Sequence, residues 1–371
     1  MARLWAATAV LVLACTGSAQ ENPETVLQRA IALHQSGNAQ AAIPQYRAYL
    51  KLRPGNVDAR SNLGAALSGT GHYTEAIAEY REALELRPGD PRIRMNLALA
   101  TYKLGRISDA ATEFAALHAE QPANPQIVLL LADCLLRQGE DRKVIELLTP
   151  LDQPGQSDPA IAYLLGTALL RDKQVERGQQ IINRILGYGD SAEARLLLGT
   201  AKLEAREFDG AIVDLKKAAE MNPQLPEVCS SLGRAHIETG DTAAARQDFQ
   251  KELELNPNDF ESNLNLGVLL KQDGDYGRAR AMLERALLVR PGEMRARYQM
   301  AGVNLSAGKL DEARSQLESI LKQAPRFVEA HLTLATVYYR LKRKQDGDRE
   351  KALAEKLTAK DQDRQYRGQK E

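Results

Sequence analysis

Five histidines (His34, His72, His118, His236 and His331) and two interior cysteines (Cys134 and Cys229) are the side chains best suited to metal or nucleophilic chemistry. Each histidine stands alone, without a second His or Cys at metal-ligand spacing, so no tetrahedral site assembles from the sequence. No H-E-x-x-H, phosphate-loop or G-x-S-x-G segment occurs. The run Gly187-Tyr188-Gly189-Asp190-Ser191-Ala192 has a superficial likeness to a dinucleotide fingerprint. That fingerprint needs a strand before its glycines, so that the following helix can aim its N–H groups at a pyrophosphate. Here Gln179 to Leu186 has helical spacing, and the run is a loop. Many carboxylates are present, but they recur beside Lys and Arg, as on solvated helix faces. No catalytic residue, cofactor or metal is expected, and the sequence points to binding rather than turnover.

The charge balance narrows what is bound. Lys+Arg is 49 and Asp+Glu is 49 in 371 residues. A nucleic-acid binder needs a cationic surplus, so nucleic acid is excluded as the expected partner. A hydrophobic content of 44% excludes an acidic disordered chain. Aromatics are only 5% and the single Trp is at position 5, a composition suited to close helix packing through small residues. Three cysteines are too few for a disulfide scaffold.

The elements that must position a binding surface appear as a period. Gly37, Gly71, Gly105 and Gly139 recur at a constant step of thirty-four, and so do Gly240, Gly274 and Gly308. Pro54, Pro88 and Pro122 keep the same step, as do Pro223, Pro257, Pro291 and Pro325. Between the two blocks both series shift by one position less than three periods, so one residue is deleted between them. The small residues Ala30, Gly64, Ala98, Ala132 and Gly166 place that deletion before Gly199, after which Gly233, Gly267, Ala301 and Ala335 resume the step. Each period predicts two helices, as in Val57 to Ser68 and Thr74 to Leu86, separated by Gly69-Thr70-Gly71 and closed by Arg87-Pro88-Gly89. The small residue of the first helix admits the second, whose aromatic (Tyr46, Tyr80, Phe114, Phe249) fills space toward the next repeat. One such hairpin cannot bury its own apolar face, so stability comes from stacking. Cys134 and Cys229, on first helices of different repeats, are expected to be buried thiols too far apart to bridge.

Leu63-Gly64, Gly71, Tyr73, Ala76, Tyr80, Ala83 and Pro88, together with Leu266-Gly267, Gly274, Tyr276, Ala279, Leu283, Ala286 and Pro291, resemble the tetratricopeptide repeat family. The resemblance covers residues 23 to about 345. The Trp often found early in the family's first helix is absent, with Arg60 and Arg297 among the residues at its place. The resemblance implies an all-α fold, a right-handed superhelical solenoid of stacked helix-turn-helix repeats. Nine repeats are expected at 23–56, 57–90, 91–124, 125–158, 159–191, 192–225, 226–259, 260–293 and 294–327. A degenerate capping unit follows at 328–357, then a charged disordered tail at 358–371. Repeats four and five are irregular. Pro150 and the Pro154 to Pro159 stretch interrupt the first, and Lys173 replaces the turn glycine of the second. A bend between 23–158 and 159–327 and simple repeat decay both account for this.

In the family, first helices line a concave groove that holds extended peptides or helices. The second, fifth, sixth, ninth, twelfth and thirteenth positions of each repeat would then face inward. Asn62, Asn96 and Asn265 fall on the sixth, where an Asn amide can both donate to and accept from a peptide backbone. They could equally cap or solvate the groove. No repeat pairs a Lys at five with an Asn at nine, so the carboxylate clamp of chaperone-binding relatives is not expected. Leu129, Tyr163 and Leu196 at position five, and Leu136, Leu170 and Leu203 at twelve, would form an apolar strip with Arg137 and Arg171 beside it. Exposed, such a strip is an interaction site; twisted inward, it is core.

The segment 1–19 has the form of a signal peptide: Arg3, an apolar run from Leu4 to Ala14, and Gly17-Ser18-Ala19 before the cleavage point. Val12-Leu13-Ala14-Cys15 also resembles a lipoprotein box, which would place a lipid on Cys15 and the protein at the outer membrane. The expectation is an exported protein, periplasmic or secreted, with no transmembrane segment after cleavage. It would be a non-catalytic scaffold or adaptor holding a protein or peptide in its groove. The alternative is an accessory component of envelope or polysaccharide export.

Overall fold

The first helices begin where a short polar side chain can accept the N–H groups that a helix start leaves unpaired. Asn56 accepts from the N–H of Ala59 at 2.9 Å, Asp158 from Ala160 at 2.8 Å, and Asp259 from Ser262 at 2.7 Å. They end at the periodic glycines, whose φ of 76–83° at Gly37, Gly71, Gly105, Gly139, Gly240, Gly274 and Gly308 is the left-handed conformation a Cβ disfavours.

The computed structural model describes residues 22–152, 158–187 and 189–368, with side chains as far as 360. Every described element is helical. Repeat one is α1 (Pro23–Gln35) and α2 (Ala39–Leu52); repeat two is α3 (Val57–Gly69) and α4 (Tyr73–Leu86). Repeat three is α5 (Pro91–Lys103) and α6 (Ile107–Glu120), and repeat four is α7 (Pro125–Gln138) and α8 (Asp141–Leu148). Next come α9 (Pro159–Arg171) and α10 (Val175–Gly187), α11 (Ala192–Glu204) and α12 (Phe208–Met221), and α13 (Val228–Thr239) and α14 (Thr242–Leu255). The last pairs are α15 (Phe260–Gln272) and α16 (Tyr276–Val289), α17 (Met294–Ser306) and α18 (Leu310–Gln323), and α19 (Val328–Arg340) and α20 (Lys344–Gly368). The fold is an all-α solenoid of stacked hairpins, as the period predicts. α8 is short because Pro150 turns its end into a 3₁₀ segment, Thr149–Leu151.

The chain divides into two compact bodies, 1–100 and 101–371. The soft junction expected at 158/159 lies inside the second. The tenth pair is longer than the sequence suggests, since α20 continues to Gly368, past Leu357 where a tail is expected. The proposed leader (1–19), with Cys15, lies outside the described residues. Cys134 and Cys229 are both buried and unpaired, and burial pushes the Cys229 thiol up to about 11.

Small residues do the work assigned to them. A Cβ on Gly64 would come within 2.7 Å of the Tyr80 ring, and one on Gly199 within 2.6 Å of Leu215. Repeats five, six and ten depart from the glycine rule. Lys173, Arg206 and Lys342 occupy the left-handed turn at φ 62–63°. Such a conformation costs a non-glycine residue about 1–2 kcal/mol. Arg206→Gly is therefore expected to raise stability by about 1 kcal/mol in urea denaturation; an unchanged or lower midpoint would mean that the turn is not strained.

Candidate interaction surface

In the C-terminal body the inward positions carry charge. At position thirteen of α7, Arg137 donates to Asp133 at 2.8 Å and stacks over Tyr102, whose hydroxyl donates to the same carboxylate at 2.6 Å. At position thirteen of α9, Arg171 donates to the Leu136 carbonyl at 3.2 Å and to Glu227 at 3.1 Å. One guanidinium thus joins repeats four, five and seven. Arg290, just beyond α16, lies over the Phe260 ring at 4.1 Å and donates to the Arg137 carbonyl, 153 residues away in the chain. A Cβ on Gly105 would come within 2.4 Å of Asn258, so the turns at these two positions meet as well. The inner side of the body is bridged here by its own arginines.

Arg290 is expected to matter for this closure. Arg290→Ala removes a charged hydrogen bond and a cation–π contact, worth about 2 kcal/mol together. Amide exchange at the C-terminal turns of α7 and α16 should accelerate accordingly; unchanged protection there would show the bridge to be idle.

Beside the bridge the inner side opens into a cavity of about 350 Å³. Leu203, Phe208 and Ile237 provide its apolar wall, and Lys173, Glu204, Arg206, Arg234, Glu238, Glu261, Asn265 and Arg295 the polar one. Five successive repeats, five to nine, contribute. Glu204 holds both Lys173 and Arg234, the latter at 3.2 Å. Asn265 accepts from Arg295 at 3.1 Å and donates to the Glu261 carbonyl at 2.8 Å. Among the described residues no cluster of three His, Cys, Asp or Glu side chains could hold a metal, and no helix is long and apolar enough to cross a membrane. His236 is bonded to Asp248 at 2.6 Å, and His331 to Glu350 at 2.6 Å and the Pro325 carbonyl at 3.1 Å.

Two family models described as tetratricopeptide repeat match the chain, one over 27–91 and 230–290, the other over 69–117, 102–166, 202–247, 270–327 and 304–368. The chain belongs to the tetratricopeptide repeat family. Its fold is similar to a chain in the crystal structure of the APC/C hetero-tetramer Cut9–Hcn1, at 14% identity over 91% of this chain and 88% of that one, with a TM-score of 0.55. A MamA RS-1 ArsTM double mutant is similar over 47% of this chain and 97% of its own, at 22% identity and a TM-score of 0.43. A comparison with curated proteins finds no match.

Within this tetratricopeptide stack the expected apolar strip is not exposed. Leu136, Leu170, Leu196 and Leu203 are buried. Leu129 is half-buried against the α7–α8–α9 core, and Tyr163 is half-buried where three apolar clusters meet. The reason is the direct contact between successive first helices, α7 with α9 and α9 with α11. Positions five and twelve lie along that contact, so leucine there is interhelical core. Burial accordingly raises the Tyr163 hydroxyl well above its ordinary value. Arg137 and Arg171 do face the interior, but as bridges. Asn265 is buried with its amide already engaged, whereas Asn62 and Asn96, in the N-terminal body, are half-buried and make no side-chain hydrogen bond among the described residues. The residues overlooked are Glu227, Glu261 and Arg295 at position two, Arg234 at nine and Glu204 at thirteen, all in the inward set. Arg206 was signalled by its place one full period before Gly240.

Proposed function

We propose that this protein is a non-catalytic interaction scaffold that holds a segment of a partner protein against the inner side of its C-terminal body. The observation that carries this reading is the cavity to which five consecutive repeats contribute side chains. A cavity of that origin suits an extended ligand crossing several repeats, with contacts distributed along it. Export to the periplasm or beyond is part of the proposal and rests on the pattern of residues 1–19. An accessory role in envelope or polysaccharide export would follow if Cys15 carried a lipid.

A photoreactive residue placed at Glu238, on the cavity wall, tests the reading in cells. One dominant protein adduct supports it, provided that the same residue at Val213 gives none. Val213 is on α12 and 68% exposed. Adducts from Val213 alone, or none from either, would refute the inner-side reading. N-terminal sequencing of the fractionated protein tests the export proposal: a start at Gln20 supports cleavage, a blocked, lipid-bearing Cys15 supports the anchor, and a retained Met1 refutes both.

A further inference from the structure

Four cations, Lys173, Arg206, Arg234 and Arg295, and three carboxylates, Glu204, Glu238 and Glu261, line this cavity. Glu204 is used twice, by Lys173 and Arg234, and Glu261 lies 3.8 Å from Arg290 on the bridge side. Arg206 makes no ion pair among the described residues, and Arg295 has only the neutral Asn265 amide. Two guanidinium groups without an ion pair therefore border the apolar wall, against one lining carboxylate, Glu238, that has none either among the described residues. Moreover, Lys173 and Arg206 project from left-handed turns, where seven other repeats place glycine. Non-glycine residues held in this conformation cluster at ligand-binding and active sites.

We propose that this cavity recognises an acidic segment of a partner protein, in which carboxylates meet Arg206 and Arg295 and an apolar side chain rests on the half-buried Phe208 and Ile237. The proposal rests on the reading of the inner side as the binding surface. Guanidinium groups pair with carboxylates in a fixed fork, which gives specificity as well as attraction. A continuous phosphate chain fits less well, because Glu204, Glu238 and Glu261 stand among the cations and the apolar wall would be unused.

The test is selection from a random dodecapeptide display library on the full-length protein, in parallel with the Lys173→Gly/Arg206→Gly variant. Because glycine is the residue other repeats use at these turns, the variant should melt no lower than the parent. The parent should enrich peptides combining excess Asp and Glu with Leu, Ile or Phe. Their affinity should weaken as salt rises, and fall about tenfold or more in the variant. Arg206→Gln, which leaves a side chain on the turn, should lose binding too. Enriched peptides without net negative charge that still occupy the Glu238 crosslinking position would overturn the acidic class and leave the inner-side reading standing. Failure to enrich any peptide would overturn both. Equal competition by a single-stranded oligonucleotide would replace the acidic segment with any polyanion, and affinity retained in both variants would remove Arg206 from the site.

Discussion

Phe249→Ala should cost about 3–5 kcal/mol, the range for removing a fully buried aromatic whose cavity cannot collapse. Phe249 lies on α14 with no exposed surface, and its ring fills the place left by Gly233 on α13, where a Cβ would come within 2.5 Å of it. The α13–α14 hairpin is held by this contact and joined on both sides to its neighbours, α12 and α15. In a linear array stability is a sum of repeat and nearest-neighbour contributions, so the loss should stay local. Hydrogen exchange should show α13 and α14 losing most of their protection while α1 to α4 keep theirs. Combining Gly233→Ala with Phe249→Ala should cost less than the two changes summed, because the added methyl enters the vacated space. Uniform loss of protection along the chain would mean that the array unfolds as one unit.

Most of the repeats are legible in the amino-acid pattern alone, but this contact only in part: the pattern directs the aromatic toward the next repeat, whereas Phe249 packs on Gly233 of its own. Gly233 and Phe249 belong to series that recur once per period, and a period repeated many times overrides the ambiguity of any single helix. The turn glycines are equally plain, since only one backbone conformation explains them. The inner side is not legible to the same depth. Every cavity-lining charge from α11, α13, α15 and α17 stands at position two, nine or thirteen of its repeat, all in the inward set, while the leucines at five and twelve do not face a groove. Which of those positions is exposed depends on how closely successive first helices approach. A residue pattern carries no such distance, and so Leu136, Leu170, Leu196 and Leu203 can be read as surface when they are core. The bridge from Arg290 to the Arg137 carbonyl is beyond reach for a different reason. It joins a residue that looks like an ordinary helix end before Pro291 to a backbone atom, and backbone acceptors carry no sequence signal.

The same region should make the protein less stable as the pH rises from about 5 to about 8, against the usual trend for a protein rich in ion pairs. Glu227 stands at the N-cap of helix α13, just before Val228, with φ 70° and no side-chain cap of its own. The Glu252 carboxylate of α14 caps it instead, accepting from the Glu227 N–H at 3.0 Å. Glu252 has no exposed surface, and its second oxygen has no hydrogen-bond partner in the structure. Burial first, then the neighbouring Asp259 and Glu227 charges, push it up to about 7; its hydrogen bond from the Glu227 N–H opposes them. Asp259, buried beside Glu227 and Glu261, is pushed up to about 6 despite its bonds from Ser262. Between the ordinary carboxylate value and these raised values, the folded chain keeps protons that the unfolded chain has released. Stability contributed by the protonated forms is therefore complete below the ordinary range and disappears as the pH passes about 7. For Glu252 alone the difference is roughly 3 kcal/mol. Carboxylates with lowered values act elsewhere: Asp190, held far down by hydrogen bonds from Arg195 and Lys217, changes state only in stronger acid. Glu252→Gln keeps an oxygen for the Glu227 N–H without the buried charge. It should gain about 2 kcal/mol at pH 8 and flatten the pH dependence, whereas Glu252→Ala should lose the cap and be weaker throughout. If the parent instead grows more stable between pH 5 and pH 8, or Glu252→Gln keeps the parent's slope, the carboxylate at the head of α13 is ionised at ordinary pH and something else must compensate its burial.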